Sequence, residues 1–319
     1  MDLASNQAAT AIWPDIPYGA WRETCSALHL YCQIIGKYRL ARTPWVNHSW
    51  HATLSVNARG LTSSIVPDGP GGIAVALDLI DHLVIGAASD GRVERFAMGP
   101  MSVADFHERF LSLIRALGGT ADLHGSPNEV ANPVPFREDR LPRPYDAEAV
   151  TRFFQALVQV DRVLKRFRTG YLGKVSPVHF FWGSFDMAVT RFSGRPAPRH
   201  PGGIPALPDD VTREAYSHEV SSAGFWPGGG AIDYPAFYSY AYPAPAGFAE
   251  ARVAPKEAFY SSQLGEFLLP YEAVRQARDP EAALMAFLQS TYDAAANLGD
   301  WDRPALECVI GEPRRPRPL

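Results

Sequence analysis

Residues 174–194, KVSPVHFFWGSFDMAVTRFSG, decide how the fold is read. In strand alternation, His179, Phe181, Gly183, Phe185, Met187, Val189 and Arg191 share one face. Phe180, Trp182, Ser184, Asp186, Ala188 and Thr190 share the other. Both faces are largely apolar, so the stretch reads as one central strand covered on both sides. Four groups able to do chemistry lie in or beside it: Lys174, His179, Asp186 and Arg191.

Composition sets the frame around this strand. The chain has 319 residues, 46% of them hydrophobic and 20% charged, enough for one large or two modest cores. A net charge of −4, with no basic stripe before the last few residues, argues against nucleic acid as a partner. No apolar run approaches the roughly 20 residues of a membrane helix. The opening MDLASNQAATAIWPDIP has no basic region followed by an apolar one, so no signal peptide is expected. Cys25, Cys32 and Cys308 lack metal-ligand spacing and read as free thiols. A soluble cytoplasmic protein is the expectation.

Residues 1–17 read as an N-terminal arm that packs through Trp13 and Ile16. A helix is predicted over 18–40, where Trp21, Cys25, Leu28, Cys32 and Ile35 form a stripe and Pro44 prevents continuation. VNHSWHATLSVNARG then alternates as a strand, with His51, Asn57 and Arg59 on its polar face. Strands follow at 61–66, 73–79, 82–88 and 92–96, the last two joined by the turn Ser89-Asp90-Gly91. Ser102 is placed to cap a helix ending near Leu117, and Asp146 one ending near Arg168. The Pro-rich run 125–145 between them reads as a surface linker. After the central strand comes an insertion, 195–233, with a short helix over about 210–221. Further strands are expected at 237–242, 258–261 and 266–269, and a last helix over 279–297. The arginine-bearing end, within 301–319, reads as a disordered tail.

The order helix, long strand, shorter strands, helix occurs twice, in 18–124 and in 146–300. Trp50 and Trp182 stand 132 positions apart, as do Arg59 and Arg191. The fold class is α+β: two related halves, each an antiparallel sheet covered by long helices, an arrangement that admits an internal duplication.

Several segments are similar to one family. WVNHSWH, SPVHFFWGSFDMAVTRFSG, REAYSHEVSSAGFWPGGG, YSYAYP and GEFLLPY resemble domain-of-unknown-function family 5996 over about residues 13–307. The resemblance implies a soluble, mostly bacterial, single-chain protein, and no mechanism.

The candidate site lies between the central strand and the insertion. His179 and His218 are the acid/base candidates, with Glu219 or Asp186 as the carboxylate. The same His179, His218 and Glu219 are the candidate ligands of a divalent metal, although no cofactor is fixed. Asp186, in an apolar face, needs a partner, and Lys174, Arg191 or Arg195 could supply it. Lys174 and Arg191 could instead clamp an anion. His51, Arg59, Trp182 and Trp226 complete the substrate-binding candidates, Trp226 as part of an aromatic lid before Gly228-Gly229-Gly230. His48 and His51 face opposite ways in the strand reading, which argues against a shared ion. Phosphate-loop, dinucleotide, zinc-protease and nucleophile-elbow motifs are missing. The expected function is an enzyme acting on a small polar or anionic molecule. The alternatives are a small-molecule binding or sensing module and a structural interaction protein. Oligomeric state is not legible.

Overall fold

A computed structural model of the chain describes residues 12–317; residues 1–11, most of the expected N-terminal arm, and residues 318–319 lie outside it. Helix α1 (Tyr18–Leu40) has the bounds read from the sequence. Its burial goes beyond one stripe and takes in Gln33, Ile34, Lys37 and Tyr38, so it is a helix enclosed nearly all round. After it, β1 (Ser55–Val56), β2 (Gly60–Asp68), β3 (Gly71–Asp78), β4 (Leu83–Ala88) and β5 (Val93–Ala97) form an antiparallel meander in chain order. Helix α2 (Val103–Ala116) closes this half and starts in a capping box, Ser102 and Asp105 each taking the other's backbone N–H. Asp146 caps α3 (Ala147–Arg168).

The second sheet comprises β6 (His179–Phe181), β7 (Asp186–Pro196), β8 (His218–Trp226), β9 (Ala236–Tyr242), β10 (Phe259–Ser261) and β11 (Glu266–Pro270), in the order β10-β11-β9-β8-β7-β6. Helix α4 (Asp209–Ala215) lies in the β7–β8 crossover, and α5 (Tyr271–Arg275), α6 (Pro280–Leu298) and α7 (Arg303–Leu306) follow β11. Two antiparallel sheets with long helices make this an α+β fold. No helix among the described residues is long and apolar enough to cross a membrane.

The two sheets meet at one pair of residues. Leu54 and Phe180 exchange both backbone hydrogen bonds, at 2.9 and 2.8 Å, and both side chains are buried. Beside them the Trp182 indole N–H donates to the Ala52 carbonyl at 2.6 Å, and its ring lies on the backbone of Gly36 in α1.

Four expectations need correction. Residues 174–194 are a hairpin rather than one strand: residues 182–185 turn, with Phe185 in the left-handed region (φ 60°). The turn restarts the alternation. His179 pairs with Ala188 and Phe181 with Asp186, so these four share a face, while Met187, Val189 and Arg191 point the other way. Apolar residues run through strand, turn and strand alike, and only Gly183 marked the break.

The stretch VNHSWHATLSVNARG is mostly not a strand. Asn47–Ser49 is a 3-10 turn with His48 and Ser49 at positive φ (61° and 59°), and only Leu54–Val56 and Gly60 pair with other strands. The turn is held from outside: the His48 N–H donates to Glu214, and its ring bonds the Ala215 carbonyl. Consequently Trp50 sits in a turn before β1 and Trp182 in the turn after β6, while Arg59 precedes β2 and Arg191 lies within β7. The 132-residue spacing therefore does not relate equivalent positions. Each sheet is preceded by a long helix and followed by helices, but only the first sheet is a meander in chain order.

The 195–233 insertion carries β8, an interior strand of the second sheet paired with both β7 and β9. The short helix stops at Ala215 because Val220, Ser222 and Gly224 continue the sheet alternation opposite Phe192, Thr190 and Ala188. Finally, the described part of the tail is packed: Arg317 bonds the carbonyls of Val309 and Thr169, the latter at the end of α3, and Arg315 pairs with Glu312.

The contact between Gly36 and Trp182 yields a test. In an exposed helix Gly→Ala stabilises by about 1 kcal/mol. A Cβ on Gly36 would overlap the indole, so Gly36→Ala should instead destabilise by about 1–3 kcal/mol in urea unfolding. A neutral or stabilising change would show that the indole can move without loss.

Candidate functional site

One face of the second sheet carries polar groups in register. Thr190 on β7 lies opposite Ser222 on β8, which lies opposite Tyr240 on β9. Asp186, Tyr238 and Glu266 extend the same face. It forms the floor of a cavity of about 520 Å³. Lys37 of α1, the loop residues Asn128 and Glu129, Trp182, the His48–Trp50 turn and apolar residues of the β7–β8 crossover wall it in. The walls therefore come from both halves of the chain. Trp226 stacks on Tyr238 with ring centroids 4.3 Å apart, and Tyr238 lies nearly parallel to Tyr240 at 6.1 Å. Tyr216 and Tyr240 share a hydroxyl hydrogen bond of 2.9 Å, and Thr190 and Ser222 one of 2.8 Å.

Asp186 is the central group. It is only 4% exposed. The Tyr238 hydroxyl donates to its Oδ2, while Oδ1 has no partner among the described residues. The expected basic partner is not there. Burial pushes the carboxyl up to about 7, nearby Glu129 adds to the rise, and the Tyr238 bond opposes it. Glu266 rises to about 8, from burial and then from Asp186, and its Oε2 is likewise buried and unpartnered. Glu129 is raised mainly by burial, against a 2.7 Å bond from Ser184 and the charge of Lys37. Three carboxyl groups thus face one cavity.

Lys37 is the cation nearest to them. Its side chain is 2% exposed, donates to Asn128 Oδ1 at 2.7 Å and lies 5.5 Å from the Trp182 ring centre. Burial lowers its pKa to about 8, against the pull of Glu129. A second basic group, Lys174, lies behind His48 and does not line the cavity. Lys174 Nζ is 2.6 Å from His48 Nε2 and 4.7 Å from the Phe192 ring centre. Because His48 Nδ1 bonds the Ala215 carbonyl at 2.7 Å, Nε2 is the acceptor for Lys174. Burial, with Lys174 adding to it and the Ala215 bond opposing, holds this imidazole's pKa below its usual value.

The other candidates fall elsewhere. Arg191 points to the opposite face, where it donates to the Phe167 carbonyl at 2.6 Å and lies over Phe167 and Tyr292. It is a core cation on aromatic rings, not an anion clamp. Arg59 pairs with Asp78 and Asp81 at the start of β2. Glu219, on the far face of β8 from His218, pairs with Arg195 at 2.7 Å and accepts from Ser193. His51 is buried against Trp45, its Nδ1 beside the Val46 backbone. His179 is buried with neither ring nitrogen partnered among the described residues, and burial drives its pKa down to about 3.

His179 and His218 do not converge on a common ligand position. Between them stand His48 and Trp50: His218 lies 6.2 Å from His48, His48 5.3 Å from Trp50, and Trp50 6.5 Å from His179, centre to centre. Among the described residues no group of three or more His, Cys, Asp or Glu could hold a metal. The metal set fails because alternation sends His218 and Glu219 to opposite faces of β8. Phe225 is core, and the Gly228-Gly229-Gly230 turn borders a neighbouring cavity of about 450 Å³ that shares Glu129, Gly183, Ser184, Ile204 and Trp226 with the first.

Sequence reasoning found Asp186, Trp182 and Trp226 but missed Lys37, Glu129, Tyr238, Tyr240 and Glu266. Two signals were present. YSYAYP puts Tyr238, Tyr240 and Tyr242 on one strand face, and Lys37 directly follows the apolar run Ile34-Ile35-Gly36. Nothing local marks Glu129.

Asp186 and Glu266 bind protons more tightly folded than unfolded. Their contribution to stability is complete below the unfolded values and is lost as pH rises through about 7 and about 8. Asp186→Asn keeps the shape and removes the charge. It should raise stability by about 2–4 kcal/mol near pH 8.5, with the gain shrinking as pH falls and vanishing only below about pH 4. Equal effects at both values in denaturant titrations would mean that Asp186 ionises normally.

Residues 13–308 match the model of a family described as a family of unknown function, DUF5996. No curated protein and no solved structure matches the chain. The match covers nearly all of the chain, including every residue of the cavity, and the protein belongs to the DUF5996 family.

Proposed function

We propose that the protein is an enzyme acting on a small polar molecule held in the 520 Å³ cavity, with Asp186 as the group that gives and takes the proton. One observation carries this reading. Asp186 is a buried carboxyl steadied through one oxygen by Tyr238, unpartnered at the other, and pushed up by burial to about 7. A general acid/base works best when its pKa lies near the working pH, and such groups cluster in clefts. The cavity is of ligand size and offers stacking surfaces with a few convergent polar groups. Its carboxyl and tyrosine groups favour a polar substrate over an anionic one. The three free cysteines support a reducing compartment, and we place the protein in the cytoplasm on that ground.

The test is depletion of compounds from a metabolite mixture, followed by mass spectrometry. Wild-type protein should deplete a small set of compounds. Asp186→Asn should slow the loss by about 100-fold or more, and Ala188→Phe, which fills the cavity floor, should abolish it. The rate should show a limb near pH 7 that Asp186→Asn removes. No depletion by the wild type, or depletion indifferent to Asp186→Asn, would overturn the assignment.

A further inference from the structure

We propose that the cavity takes a protonated primary or secondary amine, its N–H groups bonding Asp186 and Glu266 and its apolar body lying on the Trp226–Tyr238–Tyr240 shelf. This rests on the cavity being a ligand site and adds the chemical class of what fills it.

The first support is hydrogen bonding. Asp186 Oδ1 and Glu266 Oε2 are buried, border one cavity and have no partner among the described residues. A buried acceptor left unmade is costly, and two around one space call for a shared donor. A quaternary ammonium has no N–H to offer, which selects amines among organic cations.

Charge balance gives the second. The loop contributes Glu129, β7 Asp186 and β11 Glu266, while Tyr216, Tyr238 and Tyr240 contribute hydroxyls already bonded to each other or to Asp186. Lys37 is tied to Asn128 over Trp182, and Glu129 is the acid that acts on it. Lys174 is occupied with His48 and does not line the cavity. Asp186 and Glu266 are left without a cation, in front of stacked rings that attract one. An arriving ammonium would hold both carboxyls ionised, so binding near neutral pH should release protons.

Three probes of nearly equal shape test this on the whole protein: 2-phenylethylamine, 2-phenylethanol and 3-phenylpropanoate. Calorimetry in two buffers of different ionisation enthalpy reads affinity and proton release together. The amine should bind at least about tenfold more tightly than the alcohol, release protons and tighten as pH rises towards 8, and the acid should not bind. Asp186→Asn and Glu266→Gln should each weaken the amine about tenfold. Three results would overturn the proposal: alcohol or acid binding as well as the amine, amine binding unchanged in Asp186→Asn, or displacement of the amine by Mg²⁺ or Ca²⁺ alone. Ala188→Phe separates the two levels. If it abolishes binding of the alcohol or acid, the cavity stands as a ligand site and only the amine is rejected. If no probe binding responds to it, both readings fall.

Discussion

Two backbone hydrogen bonds between Leu54 and Phe180 hold the sheets edge to edge, and the cavity exists because of them. Its floor belongs to the second sheet, yet Lys37 and the His48–Trp50 turn come from the first half of the chain. Trp182 reinforces the seam: its ring needs the bare backbone of Gly36, and its N–H holds the carbonyl of Ala52. Neither half could enclose the space alone. The crossover closes the arrangement, since Glu214 and Ala215 hold the His48 turn in its positive-φ form. Backbone strain of this kind persists only where surrounding contacts over-determine it.

Within that enclosure the electrostatics follow from desolvation. Arg191 shows how the fold treats a buried charge it intends to keep: it is offered a carbonyl and the faces of three aromatic rings. For Asp186 burial, with neighbouring Glu129 adding to it, outweighs the hydroxyls of Tyr238 and Ser184 and favours the neutral form. Exposed ion pairs such as Arg195–Glu219 carry the surface charges instead. The difference between the two faces of β7 is therefore chemical as well as geometric: one is a sealed core and the other a polar floor.

Much of the fold was legible because its signals are local. The bounds of α1, the caps Ser102 and Asp146, and the strands of the first sheet follow from periodicity and capping within a few residues. The hairpin at residues 182–185 was hidden because apolar side chains run through its turn, and a turn of four reverses which residues share a face. That single phase error put Arg191 beside His179 and away from the core. The site was only partly legible for a related reason. Asp186, Trp182 and Trp226 were visible within motifs, but Glu129 and Glu266 reach Asp186 from 57 residues before it and 80 after it, through pairings no local pattern encodes. Short helix and strand signals around residues 209–226 competed, and pairing with β7 and β9 decided in favour of the strand.

The seam at Leu54 and Phe180 also bears on self-association. Every open sheet ends in two strands with unmet N–H and C=O groups, and such edges recruit other chains. Two separate sheets would present four of these; the seam consumes two of them, β1 and β6. The remaining two are blunt. Strand β5 exposes Glu94 and Arg95, and β10 is three residues long. The contact that assembles the cavity thus also protects the chain from edge-to-edge aggregation, and loosening it would expose both the ligand space and a pair of adhesive margins.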